Sequence, residues 1–280
     1  MTDLIVAWLN TLSGGTSADL TNLLTTPEGY NTSLFNAMLL IHSTVVKPVT
    51  AIVLAIMASL MLASNSTRVD GDRELGTRII AATMFKIAMV FIVCQNATAI
   101  LNAIAGVASW MATTAYNVDV TGGGAAGANL GDQMRSAIDD AGTMNQLVMI
   151  IVLVLPWIVS ALGTVVVIVL IFIRFLQMYL LGAFASLPVA FLSHEDTKQI
   201  GIGYLKRYAV VAISGVVIVL TIKLYQALLS GWLSGEVTYD GGDVLPFISE
   251  HFGQFLVAPI VLIFLMFGAN SVAKAIVGEG

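Results

Sequence analysis

Three lysines, Lys47, Lys86 and Lys223, lie inside long apolar runs that contain no aspartate or glutamate. An ammonium at a bilayer centre costs about 2.5–3.5 kcal/mol on the insertion scale, so such residues mark functional candidates. Lys47 falls near the middle of its run beside Pro48, which suggests a kink next to a polar neighbour facing a cavity. Lys86 and Lys223 lie nearer the ends of theirs, where a long stem can carry the charge out to the interface. Gln95, Asn96 and Asn102 are amide residues farther along the run that holds Lys86, and they suit either a pore lining or interhelical hydrogen bonding. The pore or cavity candidates are therefore Lys47, Lys86, Gln95 and Asn96. His42 precedes Lys47 by five residues. On a straight α-helix the two would point about 140° apart and share no face. A proton relay through the membrane needs a carboxylate within it, and the runs hold none, which argues against a proton-coupled transporter.

Other chemistry finds no foothold. There is no nucleophile–base pair, HExxH, GxSxG or nucleotide fingerprint, so no catalytic residue and no enzyme is expected. The glycine clusters TGGGAAGANLGD and YDGGD lack the Gly-Lys-Ser/Thr ending of a phosphate loop and read as flexible turns. Cys94 is the sole cysteine, inside an apolar stretch, and His42, His194 and His251 are far apart in the chain. No metal site and no cofactor is expected.

These residues must be positioned by membrane helices. Of 280 residues 58% are hydrophobic and 10% charged, against roughly 45–50% and 25% in soluble domains. The apolar residues come in long continuous runs rather than the short alternating segments of a β-barrel. The expected fold is all-α: a single integral membrane domain over residues 1–280. Five spans are expected near Leu34–Ala63, Ile79–Thr113, Leu147–Ile173, Tyr208–Leu229 and Phe255–Ala273, with Ser33 capping the first. A short interfacial helix occupies residues 1–12, a Gly-rich outer loop residues 114–146, and a re-entrant or broken segment with a cytoplasmic loop residues 175–207. Ala51, Ala55, Ser59 and Ala63 recur every four residues, a small-residue stripe suited to helix packing within the chain or with another copy. Ala105, Ala108 and Ala112 form a similar set. Trp8, Trp110, Trp157 and Trp232 fall near expected outer ends, as interfacial anchors should.

Charge sets the expected topology. With five spans and the N-terminus outside, Arg68, Arg73, Arg78, Arg174, Lys198, Lys206, Arg207 and Lys274 lie on the cytoplasmic side, eight of the twelve basic residues, and only Arg135 lies outside. That is the positive-inside distribution. A sixth crossing at Phe175–Leu192 would move Lys198, Lys206 and Arg207 outside. Gly182 and the Ser186-Leu187-Pro188 sequence favour a helix that breaks there instead. Irregular backbone at membrane depth is tolerated only where protein or a water-filled cavity shields it.

The segment Ala185-Ser186-Leu187-Pro188-Val189-Ala190, followed by HEDTKQIGIGYLKRY and a span, resembles the TrbL-type family of conjugal-transfer membrane proteins. The residues carrying the resemblance are Pro188, Ala190, Glu195, Gly201, Tyr204 and Lys206, and it is strongest over about Arg174–Tyr225. It implies a multi-pass component of the bacterial inner membrane in a type IV secretion system, with the N-terminus outside and the C-terminus cytoplasmic. It further implies a homo-oligomeric channel or scaffold that contacts a transfer ATPase, scaffold proteins and transferred single-stranded DNA. Two other readings stay open on the residues alone: a secondary transporter or small-solute channel, and a phage-type pore protein.

Overall fold

In the computed structural model, residues 1–14, 20–66, 73–120, 130–236 and 242–278 are described. The glycine cluster at 121–129, most of YDGGD and the Trp232 side chain fall outside that set. Among the described residues the regular structure is helical throughout, as the composition requires. Helices α1 (Thr2–Gly14), α2 (Pro27–Tyr30), α3 (Thr32–Ile41), α4 (Lys47–Ser66), α5 (Arg73–Gln95), α6 (Ala97–Asn117) and α7 (Leu130–Gln133) come first. They are followed by α8 (Arg135–Asp140), α9 (Gly142–Ala183), α10 (Ser186–Ala190), α11 (Lys198–Glu236), α12 (Val244–Glu250) and α13 (Phe252–Val277). The cap of the first long helical run is Asn31 rather than Ser33: its side chain accepts from Leu34 N at 3.0 Å, and the helix starts at Thr32.

Among the described residues six helical segments have the length and apolarity to cross a membrane, against five expected. The additional one does not arise at Phe175–Leu192. It arises because the expected run Ile79–Thr113 is interrupted at Asn96, giving α5 and α6. The hydrogen-bond ladder nevertheless passes through the interruption. Asn96 N–H donates to Ile92 O and Ile100 N–H to Asn96 O, each at 3.1 Å. A chain that keeps these i→i−4 bonds bends without reversing its direction.

The Phe175–Leu192 segment takes the broken form of the two expected. Phe175–Ala183 continues α9, which runs 42 residues without a break, about 63 Å at the α-helical rise. The helix then stops. Phe184 and Ala185 make i→i−3 bonds to Leu181 and Gly182, and α10 and a 3₁₀ turn at Phe191–Ser193 follow.

The chain divides into two compact units. One comprises residues 1–24, 111–172 and 215–272. There α1 buries Ile5, Val6, Leu9 and Leu12 and packs on α7 and α8. Asn10 anchors it: its Oδ1 accepts from Gly131 N at 2.8 Å and its Nδ2 donates to Asp132 at 2.9 Å. Gly131 is required by close approach, since a Cβ there would lie 2.3 Å from the Val6 carbonyl oxygen. Trp8 stacks on Trp157 with centroids 5.0 Å apart, and Lys223 lies 5.0 Å over the Tyr116 ring.

The other unit comprises residues 25–110, 173–214 and 273–280. In it α10 packs on both α4 and α5. Asn65 of α4 donates to the Thr83 hydroxyl of α5 at 2.6 Å. Tyr30 stacks flat on Phe175 at 3.9 Å, and the Tyr179 hydroxyl donates to Pro27 O at 2.7 Å, tying α2 to α9.

Candidate functional site

A helix that stops leaves its last carbonyls without intrahelical partners. At membrane depth each unpaired group costs several kcal/mol. At the end of α9 those carbonyls are met by side chains from other helices. Ala183 O accepts from His42 Nδ1–H at 3.1 Å, and Leu181 O accepts from the Tyr204 hydroxyl as well as from Phe184 N–H. Beyond the break, buried Ser186 hydrogen-bonds Thr50 at 2.8 Å; because Thr50 donates to Val46 O at 2.9 Å, Ser186 is the donor of that pair. Ser193 Oγ then caps Ala190 O at 2.8 Å and Thr197 Oγ1 caps Phe191 O at 2.9 Å. The elbow is therefore an irregular backbone whose polar groups are paired within protein.

Proline chemistry explains how one helix reaches both sides of the break. Pro48 has no N–H for the carbonyl four residues earlier, and its ring crowds that carbonyl. The backbone widens ahead of it into a π turn, His42–Val46, closed by Lys47 N–H to His42 O. A π turn holds roughly one residue more than an α turn. His42 and Lys47 consequently stand one turn apart, on neighbouring positions, and the 140° separation expected for a straight helix does not hold. The same extra residue brings His42 and Thr50 to one side of the helix, against Ala183 and Ser186 respectively.

The motif residues converge on this elbow. Gly201 of α11 sits against the turn: a Cβ there would lie 2.6 Å from the Leu192 side chain and 2.9 Å from Pro188 O. Ala190 is fully buried, and Tyr204 caps α9. Glu195, in the linker to α11, pairs with Lys86 of α5 at 3.3 Å and with Lys198 at 3.8 Å. The hydrogen bond from Lys86, and then the two lysine charges, hold its carboxyl below the usual range. Lys206 stands apart, exposed, donating to Gly278 O at 3.3 Å.

Of the pore or cavity candidates, Lys47 and Gln95 meet. They line one small cavity of about 20 Å³ with Thr50, Cys94 and Ser186, room for about one water molecule. Lys86 is instead engaged by Glu195. Asn96 is exposed and turns its amide back onto Ile92 O at 2.8 Å. Ala51, Ala55, Ser59 and Ala63 are all exposed along α4; the first two line an apolar groove of about 650 Å³ with Met84, Phe91 and Ile92 of α5. Ala105, Ala108 and Ala112 are buried.

Arg174 is the residue that sequence reasoning misplaced. It is no flanking charge. It lies within α9, only 3% exposed, and donates through Nε and Nη2 to Val211 O and Ala212 O of α11, each at 3.2 Å. It also sits 4.8 Å over the Phe175 ring, and its Nη1 has no partner among the described residues. The signal available in the sequence was a lone arginine inside one apolar run extending from Leu147 to Leu192. Nothing in the sequence signalled the pairing of His42 with Ala183 or of Thr50 with Ser186, because both depend on the π turn.

Long apolar helices, together with an interrupted helix sealed by its own chain, define a multi-pass α-helical membrane protein. A family model described as TrbL/VirB6 plasmid conjugal transfer like protein matches residues 15–186, well over half of the chain. The chain belongs to that family and is a membrane component of a conjugal transfer system. The match ends at Ser186, so it covers α9 and the break. It stops short of Pro188, Ala190, Glu195, Gly201, Tyr204 and Lys206, the residues that carry the resemblance in the sequence. No curated protein matches the chain.

Proposed function

We propose that the protein is a channel or scaffold subunit of a conjugative type IV secretion system, supporting transfer of DNA as nucleoprotein across the cytoplasmic membrane. The family match over residues 15–186 carries this reading. The sealed elbow supports it, since irregular backbone inside a membrane protein serves packed assemblies and passages. The role assigned is structural, with no catalysis by this chain. The exposed small-residue stripe of α4 suits close contact with further copies, making the working unit a homo-oligomer. Its other partners are the transfer ATPase, scaffold proteins and the single-stranded DNA in transit. The distribution of lysine and arginine supports an inner-membrane orientation with the N-terminus outside and the C-terminus cytoplasmic.

Deleting the gene from a donor carrying the cognate transfer system should abolish plasmid transfer, and membrane pull-down should recover the transfer ATPase or scaffold proteins. Unchanged transfer with no co-purifying component would end this reading. Orientation is read separately in a Cys94→Ala background. An impermeant maleimide applied to intact spheroplasts should label Met144→Cys and spare Lys198→Cys.

A further inference from the structure

The elbow between α9 and α10 is held at two points by a single irregular helix: His42 grips Ala183 on one side of the break, and Thr50 holds Ser186 on the other. Eight residues separate His42 from Thr50. Along a straight α-helix that spacing turns them about 80° apart. The extra residue of the π turn His42–Val46 removes most of that angle.

We propose that this π turn is a register switch that latches the elbow. With the π turn in place both grips close. If the turn relaxes to α geometry, the part of the helix before it rotates against the part after it by about one residue, roughly 100°. The His42 grip then stays on Ala183 while Thr50 leaves Ser186, and the elbow is free to pivot at Phe184–Ala185. Three features equip the element for two states. Pro48 bars the ordinary hydrogen bond to Thr44, so the α register has no complete ladder to set against the π register. His42 is buried and its Nε2 has no hydrogen-bond partner among the described residues, so the closed state leaves one polar atom unpaired. Ser43, Thr44 and Val45, in the middle of the bulge, are exposed, and within the turn only its end residues His42 and Val46 are packed. π turns inserted in α-helices are frequent at functional sites, and small movements are amplified where packing offers two discrete arrangements.

The first test reads the elbow directly, by amide hydrogen exchange over residues 184–190 of the purified full-length protein. Deleting Thr44 places His42 and Thr50 seven residues apart, aligned on a plain α-helix, so both grips hold without a π turn. Exchange should slow about tenfold, the weight of about one hydrogen bond. In His42→Ala, where one grip is gone, it should accelerate by a similar factor. Exchange unchanged in His42→Ala, or no slower in a folded Thr44 deletion, would overturn the switch. The second test rests on the proposed transfer function. The Thr50 and Ser186 side-chain oxygens are 2.8 Å apart, so a cysteine pair there is near disulfide reach. In a Cys94→Ala, Thr50→Cys, Ser186→Cys donor, copper-phenanthroline oxidation should lower transfer at least tenfold, and dithiothreitol should restore it. Full transfer by the oxidised protein would show that the elbow need not open. If gene deletion itself leaves transfer unchanged, the functional reading has failed while the exchange result still decides the switch.

Discussion

Two helix interruptions lie in the same unit and are built by opposite means. At Asn96 the residue is exposed, the backbone keeps its bonds from Asn96 to Ile92 and from Ile100 to Asn96, and the side chain folds back on the same turn. At Phe184–Ala185 the α ladder ends, the freed carbonyls are taken up by His42 and Tyr204 from elsewhere in the chain, and Thr50 holds the Ser186 hydroxyl beyond the break. A bend that keeps its own hydrogen bonds asks nothing of its neighbours. A true break at membrane depth has to recruit partners, because lipid offers none. The difference teaches where substitutions should matter: at the second site through residues distant in sequence, at the first scarcely at all.

The comparison is broken most severely at Gly201. Alanine there must displace the Leu192 side chain and press on the Pro188 carbonyl, which as backbone yields poorly. Gly201→Ala should cost about 1–3 kcal/mol, the usual range for overpacking, read as a lower midpoint of thermal unfolding in detergent. Gly203→Ala, two residues on, meets open space and serves as the control. It should stabilise by up to about 1 kcal/mol through helix propensity alone. Equal destabilisation by both would mean that the elbow is not closely packed against α11. Next in size is Tyr204→Phe, which removes one hydroxyl from Leu181 O while that carbonyl keeps the bond from Phe184 N–H. The expected loss is about 1 kcal/mol, with exchange at residues 181–186 accelerated. A midpoint unchanged from wild type would show that the carbonyl is satisfied without it.

The membrane class and the long helices were legible because apolar runs report burial in lipid directly, whatever packs on them. The break was legible too, since Pro188 and the small residues around it act locally. The stitches were not. His42 pairs with Ala183 across 141 positions and Thr50 with Ser186 across 136, and the register that permits both depends on a π turn that helical-wheel angles assume away. Arg174 was misread for a related reason. An arginine in an apolar run is indistinguishable from a flanking charge until the length of the helix is known, and α9 continues nine residues past it. The count of spans differed because asparagine in a long apolar run gives no sign of whether it will hydrogen-bond another helix or its own turn.

Glu195 sharpens the contrast from outside the break, since it ties the linker to α5 through Lys86. Its carboxyl is held low in the folded protein, chiefly by the hydrogen bond from Lys86. The stabilisation is thus complete above the unfolded glutamate value of about 4.3, and is lost as pH falls through the lower folded value. Because both partners are solvent-exposed the effect should be smaller than that at Tyr204. Glu195→Gln and Lys86→Met should lower the unfolding midpoint alike at pH 7, the double variant should add nothing further, and the gap to wild type should close in strong acid. Additive single effects, or a gap indifferent to pH, would show that the pair is not coupled.

The smallest effect belongs to Asn96, and it is the one that tests the principle. If a bend that retains its ladder needs no partner, Asn96→Leu should change stability by no more than about 0.5 kcal/mol, the range for exposed positions with no special feature. The backbone bonds on either side are untouched by the substitution. The amide being removed bonds only a carbonyl of its own turn, at 2.8 Å, so no distant group is orphaned. Leucine also favours both helix and lipid. The variant should therefore unfold at or slightly above the wild-type midpoint. A loss as large as that of Tyr204→Phe would mean that the Asn96 side chain holds the bend open rather than merely tolerating it. The two interruptions would then differ in degree only, and self-sufficiency of the backbone could no longer explain why one is exposed and the other enclosed.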